Sequence, residues 1–152
     1  MLNPFEKHRD KVLGQYSTAK WLREVVLSLY SGGYPATLTR ISNADDNHRK
    51  AFFEMVEYYA QHGENDAAFM SLAQECIEMR KAEAQAEVRE ERLTAWMREL
   101  KLALMNLGQA PGEADDHYSW FEGQFDLGIS PDAAAVAFVD KLRAKGPKKG
   151  MS

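Results

Sequence analysis

Residues 66–107 read DAAFMSLAQECIEMRKAEAQAEVREERLTAWMRELKLALMNL, a stretch without glycine or proline. A helix rises 1.5 Å per residue, so such a run would extend roughly 60 Å, longer than a compact domain of this chain length is wide. The heptad pattern tests its continuity. One row runs Leu72, Met79, Ala86, Leu93, Leu100, Leu107, and its companion runs Phe69, Cys76, Glu83, Glu90, Met97, Leu104. Both rows keep phase across the whole span, whereas two joined helices would shift register. The pattern predicts one continuous helix.

The middle of that helix, residues 81–92, is polar nearly all round. Glu83, Glu87, Glu90 and Glu91 fall on one face, with Lys81, Arg89 and Arg92 roughly opposite. A segment of this kind runs through solvent between packed regions. Glu87 and Glu91 repel one another at i, i+4, at a cost of about a few tenths of a kcal/mol. Ala82, Ala84 and Ala86 offset this through high helix propensity. The expected architecture is all-α: two small helical lobes joined by one long central helix. Residues 1–80 form the N-terminal lobe with the first half of the helix, 81–92 its solvent-exposed centre, 93–145 the C-terminal lobe, and 146–152 a disordered tail.

On the N-terminal side, residues 3–14 suggest a short helix, and Ser17–Ser31 a longer one. Leu22, Val25, Val26, Leu29 and Tyr30 share one face of the latter. Ser17 is a candidate cap, and Gly32-Gly33 a stop through the left-handed conformation that glycine adopts cheaply. Residues 32–42 read as a loop tucked inward by Tyr34, Leu38 and Ile41. A further helix is expected from about Asn43 to just before Gly63. Asp45 and Asp46 lie in its first turn, where acids suit the helix dipole. Phe52, Val56, Tyr59 and Ala60 mark its inner face, with Phe53 beside it.

On the C-terminal side, 108–116 is a loop. Asp116–Asp126 is a short aromatic helix ended by Gly128. Ser130-Pro131-Asp132 opens a last helix carrying Ala134, Val136, Phe138, Val139 and Leu142.

The 152 residues carry a net charge of −4, unevenly spread: +3 over 1–40, −5 over 41–80, zero over 81–107 and −2 over 108–152. An acidic middle argues against general nucleic-acid binding, which needs a clustered cationic face. The single cysteine, Cys76, permits no intrachain disulfide and sits in an apolar helical row, as a small buried hydrophobe would. With no apolar run long enough to span a bilayer and no secretory signal, the expectation is a cytoplasmic protein.

Catalytic patterns are missing. His8, His48, His62 and His117 form no i, i+4 pair, and HExxH, CxxC and GxSxG are absent. Acids at Asp45-Asp46 and Asp115-Asp116 are explained by helix starts. No catalytic, metal or cofactor residue is therefore assigned. A metal-dependent hydrolase with carboxylates from both lobes is the low-ranked enzymatic alternative. Tyr118–Val139 has a helix–turn–helix outline, but its second helix opens Pro131-Asp132-Ala133, acidic and then blank where base-reading side chains are needed.

The run Trp21-Leu22, Val26-Leu27-Ser28-Leu29-Tyr30-Ser31-Gly32-Gly33-Tyr34-Pro35, Leu38 and Asp45-Asp46 resembles an uncharacterised family of small proteins from bacterial plasmids, phages and integrating elements. The resemblance covers about residues 17–60. It implies a mobile-element accessory protein, of the kind that binds host machinery and includes inhibitors of restriction or CRISPR complexes. Together these readings predict a non-enzymatic protein-binding accessory protein whose acidic surface mimics nucleic-acid phosphate. Candidate contacts are Glu83, Glu87, Glu90, Glu91, Trp120, Phe121, Asp45 and Asp46. The partner expected is a protein, with no membrane. The alternative is a DNA-binding transcriptional regulator using the C-terminal helical pair and the basic side chains Lys141, Arg143, Lys145, Lys148 and Lys149. Self-pairing of the long helix as a homodimer stays open, although Glu83 and Glu90 disfavour a parallel arrangement.

Overall fold

A computed structural model describes residues 2–145. Among them the elements are helical throughout: α1 (Pro4–Lys7), α2 (Arg9–Val12), α3 (Ser17–Tyr30), a 3-10 turn (Leu38–Asn43), α4 (Asp46–His62), a second 3-10 turn (Gly63–Asn65), α5 (Ala67–Asn106), α6 (Glu113–Asp116), α7 (Tyr118–Asp126) and α8 (Pro131–Lys145). No strand forms among the described residues, and none of the helices is long and apolar enough to cross a membrane.

The long helix is continuous over 40 residues. Asp66 starts it: its carboxylate accepts the Phe69 backbone N–H at 2.9 Å. Gly108 stops it at φ +81, with Gln109 N donating to the Leu104 carbonyl and Gly108 N to the Met105 carbonyl. This paired closure satisfies carbonyls that the last turn would otherwise leave bare. Contacts divide the chain into two compact units at Glu83/Ala84, inside α5.

The first unit centres on Trp21, Leu22, Val25 and Val26 of α3, Ala51, Phe52 and Met55 of α4, and Phe69, Leu72, Ala73 and Cys76 of α5. Phe5 and Val12 of the short N-terminal helices complete it. Trp21 stacks on Phe52 at 5.3 Å and its indole N–H donates to the Thr37 carbonyl at 2.8 Å, so the ring is buried without an orphaned donor. Burying each large apolar side chain contributes about 1.5–3 kcal/mol. The Cys76 thiol is buried here, and burial pushes its pKa up to about 12, which makes it an inert packing group.

The second unit packs Leu93, Trp96, Met97, Leu100 and Leu104 of α5 against Ala114, Phe121, Ala134, Ala135 and Phe138. The Phe121 and Phe138 centroids lie 5.1 Å apart, and Trp96 meets Phe125 edge-on at 5.9 Å. The Trp96 indole donates to the Ile129 carbonyl at 2.9 Å. Gly128, at φ +77, closes α7 by the same paired bonds that end α5: Ile129 N to Gln124 O and Gly128 N to Phe125 O.

Several sequence expectations change in the structure. Residues 3–14 form two single-turn helices hinged at His8. Ser17 is the first residue of α3; Tyr16 holds the cap position, without a side-chain bond. The helix ends on Ser31 in extended backbone, and neither Gly32 nor Gly33 is left-handed. Residues 38–43 wind into a 3-10 turn that leaves Leu38 out in solvent, while Tyr34 and Ile41 do pack inward. Asp45 is the cap of α4 rather than a first-turn residue. Ala60 is exposed, and Ala51 and Met55 take the inner face instead. In the last helix Val136 and Leu142 are exposed and Ala135 is buried, and α6 interrupts the 108–116 loop. The expected disordered tail, with Lys148 and Lys149, falls outside the described residues.

Candidate functional site

Every residue from 81 to 92 of α5 is exposed. Its cations are largely engaged. Arg89 Nη2 bonds Asp126 at 2.8 Å and Glu122 at 3.2 Å, and these bonds, Asp126 first, raise the guanidinium pKa. Lys81 lies 3.6 Å from Glu78. Glu87, Glu90 and Glu91 make no ion pair with any described residue. Three carboxylates within little more than one turn therefore face water without local neutralisation.

Glu83, the fourth acid of that face, differs. It approaches the Arg23 guanidinium at 3.4 Å. Arg23 is 6% exposed, and its Nη1 donates to the carbonyls of Val12 at 2.9 Å and Gly14 at 2.6 Å. A buried cation needs a counter-charge and satisfied donors. Glu83 supplies the charge, and is thereby part of the first unit's framework.

Beside Glu90 the second unit has a groove of about 330 Å³ lined by Leu93, Met97, Arg98, Lys101 and Tyr118. A Lys101–Asp115 pair at 3.3 Å closes one wall. The half-exposed Tyr118 phenol has its pKa raised by burial first, then by Glu122 and Glu90. The groove combines an apolar floor of Leu93 and Met97 with a charged rim of Glu90, Arg98, Lys101 and Asp115, a form suited to an apolar side chain flanked by polar groups.

The aromatic candidates separate. Phe121 is fully buried at the centre of the second core and is not a surface contact. It and Trp120 are consecutive on one helix, so only one ring can face inward. Trp120 is half-buried, edge-on to Phe121 at 5.0 Å, with Lys141 Nζ 5.0 Å above its ring.

The acids at the α4 start also separate. Asp46 is exposed and pairs with Arg49 at 2.8 Å. Asp45 accepts the His48 backbone N–H at 3.0 Å, and both carboxylate oxygens meet His48 Nδ1, at 2.8 and 2.9 Å. These bonds, the side-chain one first, hold the Asp45 pKa below the ordinary carboxylate value. His48 Nε2 in turn meets the Tyr16 hydroxyl at 2.8 Å. Sequence reading gave no hint of this chain of three, because Tyr16 and His48 stand 32 positions apart and no local spacing links them.

Among the described residues, no group of three or more His, Cys, Asp or Glu side chains is arranged to hold a metal ion. Comparison with known proteins finds no family model, no curated protein and no solved structure that matches this chain.

Proposed function

We propose that the chain is a non-enzymatic, cytoplasmic accessory protein that binds a protein partner carrying a cationic groove, occupying it as a mimic of nucleic-acid phosphate. The observation that carries this reading is the set Glu87, Glu90 and Glu91, exposed and unpaired among the described residues, with Glu90 lining the groove of Leu93, Met97 and Tyr118. Carboxylates that are not neutralised at home are available to a partner's Lys and Arg, and complementary charge accelerates encounter and fixes register. The apolar groove supplies the anchor that charge alone lacks. The resemblance of residues 17–60 to small plasmid and phage proteins adds the context of a mobile-element inhibitor of a host defence or nucleic-acid-processing complex.

A tagged full-length chain is used for capture from bacterial lysate, with and without nuclease. The expected result is a stoichiometric protein partner retained after nuclease and lost from the Glu87→Lys, Glu90→Lys, Glu91→Lys variant. Glu83 is left intact, because reversing it would strand Arg23. Retention of the partner by the triple variant would remove this face as the contact.

A second reading, a DNA-binding regulator, rests on the α7–α8 pair with its Gly128 turn and the exposed Lys141, Arg143 and Lys145. It predicts retardation of duplex DNA that weakens steeply with salt. Absence of retardation at low salt would eliminate it.

A further inference from the structure

We propose that Tyr16 is a covalent modification site, a phenol that accepts an acyl group from an activated ester with His48 as its general base and Asp45 as the residue that positions His48. This is independent of the partner proposed above.

Two local structures deliver the groups. Tyr16 occupies the cap position of α3 with extended backbone, and Asp45 the cap position of α4. His48 sits in the first turn of α4, where the Asp45 carboxylate takes its backbone N–H and its Nδ1 together. A carboxylate only accepts, so Nδ1 carries the ring proton and donates to it. Nε2 is then left with its lone pair directed at the Tyr16 hydroxyl, 2.8 Å away, which donates. The Tyr16 ring lies over Gly14, where any Cβ would collide with it, and meets the imidazole edge-on at 5.5 Å. Tyr16 is 46% exposed and open to solvent, while the His48 side chain is 13% exposed.

Hydroxyl, imidazole and carboxylate in this order are the parts that activate an oxygen nucleophile. An ordinary tyrosine, with pKa about 10, holds little phenolate at neutral pH. Here Oη attacks the carbonyl carbon as its proton passes to Nε2, and Asp45 stabilises the imidazolium. The bond from the carbonyl carbon to the leaving oxygen then breaks, and that oxygen takes the proton back from Nε2. The products are a Tyr16 ester, the free alcohol and the original His48, with no change in oxidation state.

Tyr118 is the internal control. It is 41% exposed, and its hydroxyl makes no side-chain hydrogen bond among the described residues. The full chain is treated with 4-nitrophenyl acetate, and acetylation at each tyrosine is followed by peptide mass spectrometry. Tyr16 is expected to react about 10²-fold faster than Tyr118 or more, the usual contribution of a positioned base. His48→Gln keeps a hydrogen-bonding side chain but cannot take the proton, and should slow Tyr16 by about 10²-fold. Asp45→Asn preserves the helix cap. It should slow Tyr16 in the native background and cost nothing further beside His48→Gln. Equal rates at Tyr16 and Tyr118, or an undiminished Tyr16 rate in a folded His48→Gln variant, would overturn the proposal.

Discussion

The two units solve the same problem by different means. The first is held together by directional polar bonds as well as packing. Asn3 Nδ2 and the Tyr58 hydroxyl both donate to Asp66, His8 Nε2 meets Glu54 at 2.6 Å, and Arg23 ties the carbonyls of Val12 and Gly14. Both buried polar side chains among the described residues, His8 and Arg23, belong to it. The second unit relies on rings, with Trp96 against Phe125, and Trp120, Phe121 and Phe138 in mutual contact. It also leaves Leu102, Met105, Leu127 and Val136 exposed. Polar bonds demand one geometry and penalise every other. Aromatic packing gives much area from few residues, a suitable economy for the shorter segment. The difference separates a unit specified by polar bonds from one that leaves more large apolar side chains exposed.

The sharpest way to break this contrast is Phe121→Ala. Removing the central ring should cost about 3–5 kcal/mol and unfold the second unit at a temperature where the first persists. Trp96→Phe with Trp120→Phe leaves Trp21 as the sole indole, so fluorescence then reports the first unit alone. A single shared transition in Phe121→Ala would show that the units unfold as one.

Arg23→Met should cost the first unit about 2–3 kcal/mol, because two carbonyls lose their donor and Glu83 its cation. Glu83→Gln should cost less, about 1 kcal/mol, since that carboxylate is itself half-exposed. Urea titrations monitored through Trp21 measure both. Equal effects of Glu83→Gln and Glu87→Gln would remove the structural role assigned to Glu83.

In the second unit Gly128→Ala places a Cβ at φ +77 and should cost about 1–2 kcal/mol. Gly32→Ala, with no positive φ and open space around it, should be close to neutral.

The smallest effect concerns acid. The His8 hydrogen bond, ahead of the Lys7 bond, holds the Glu54 pKa below its ordinary 4.5. A carboxyl depressed in the folded state contributes stability that is present above its unfolded pKa and is lost as pH falls through the folded one. The first unit should therefore lose melting temperature progressively below about pH 4.5. In Glu54→Gln that part of the slope should disappear. An unchanged slope would assign acid sensitivity elsewhere.

Much of the fold was legible because it depends on local pattern. The glycine-free heptads announced α5, and Ser130-Pro131 announced α8. The misplaced details were of two kinds, backbone conformation at segment ends and packing against partners distant in sequence. Gly32-Gly33 looked like a helix stop, yet Ser31 left the helix first in extended backbone, so no left-handed residue was needed. Leu38 and Val136 matched an apolar pattern but point to solvent, while the small Ala51 and Ala135 are buried in the cores. Phe121 and Trp120 were equivalent in sequence until the second core took one of them.

By itself, then, the sequence determined the helical class, the continuity of α5, its exposed charged centre, the start of α8 at Ser130-Pro131 and the stop of α7 at Gly128, because these follow from intrinsic propensity, capping and periodicity within a few residues. Only the tertiary structure decided which of four similar acids neutralises a buried arginine, and that Asp45, His48 and Tyr16 form a chain of hydrogen bonds. Such pairings depend on where packing brings distant segments, and short-range pattern carries no record of that distance.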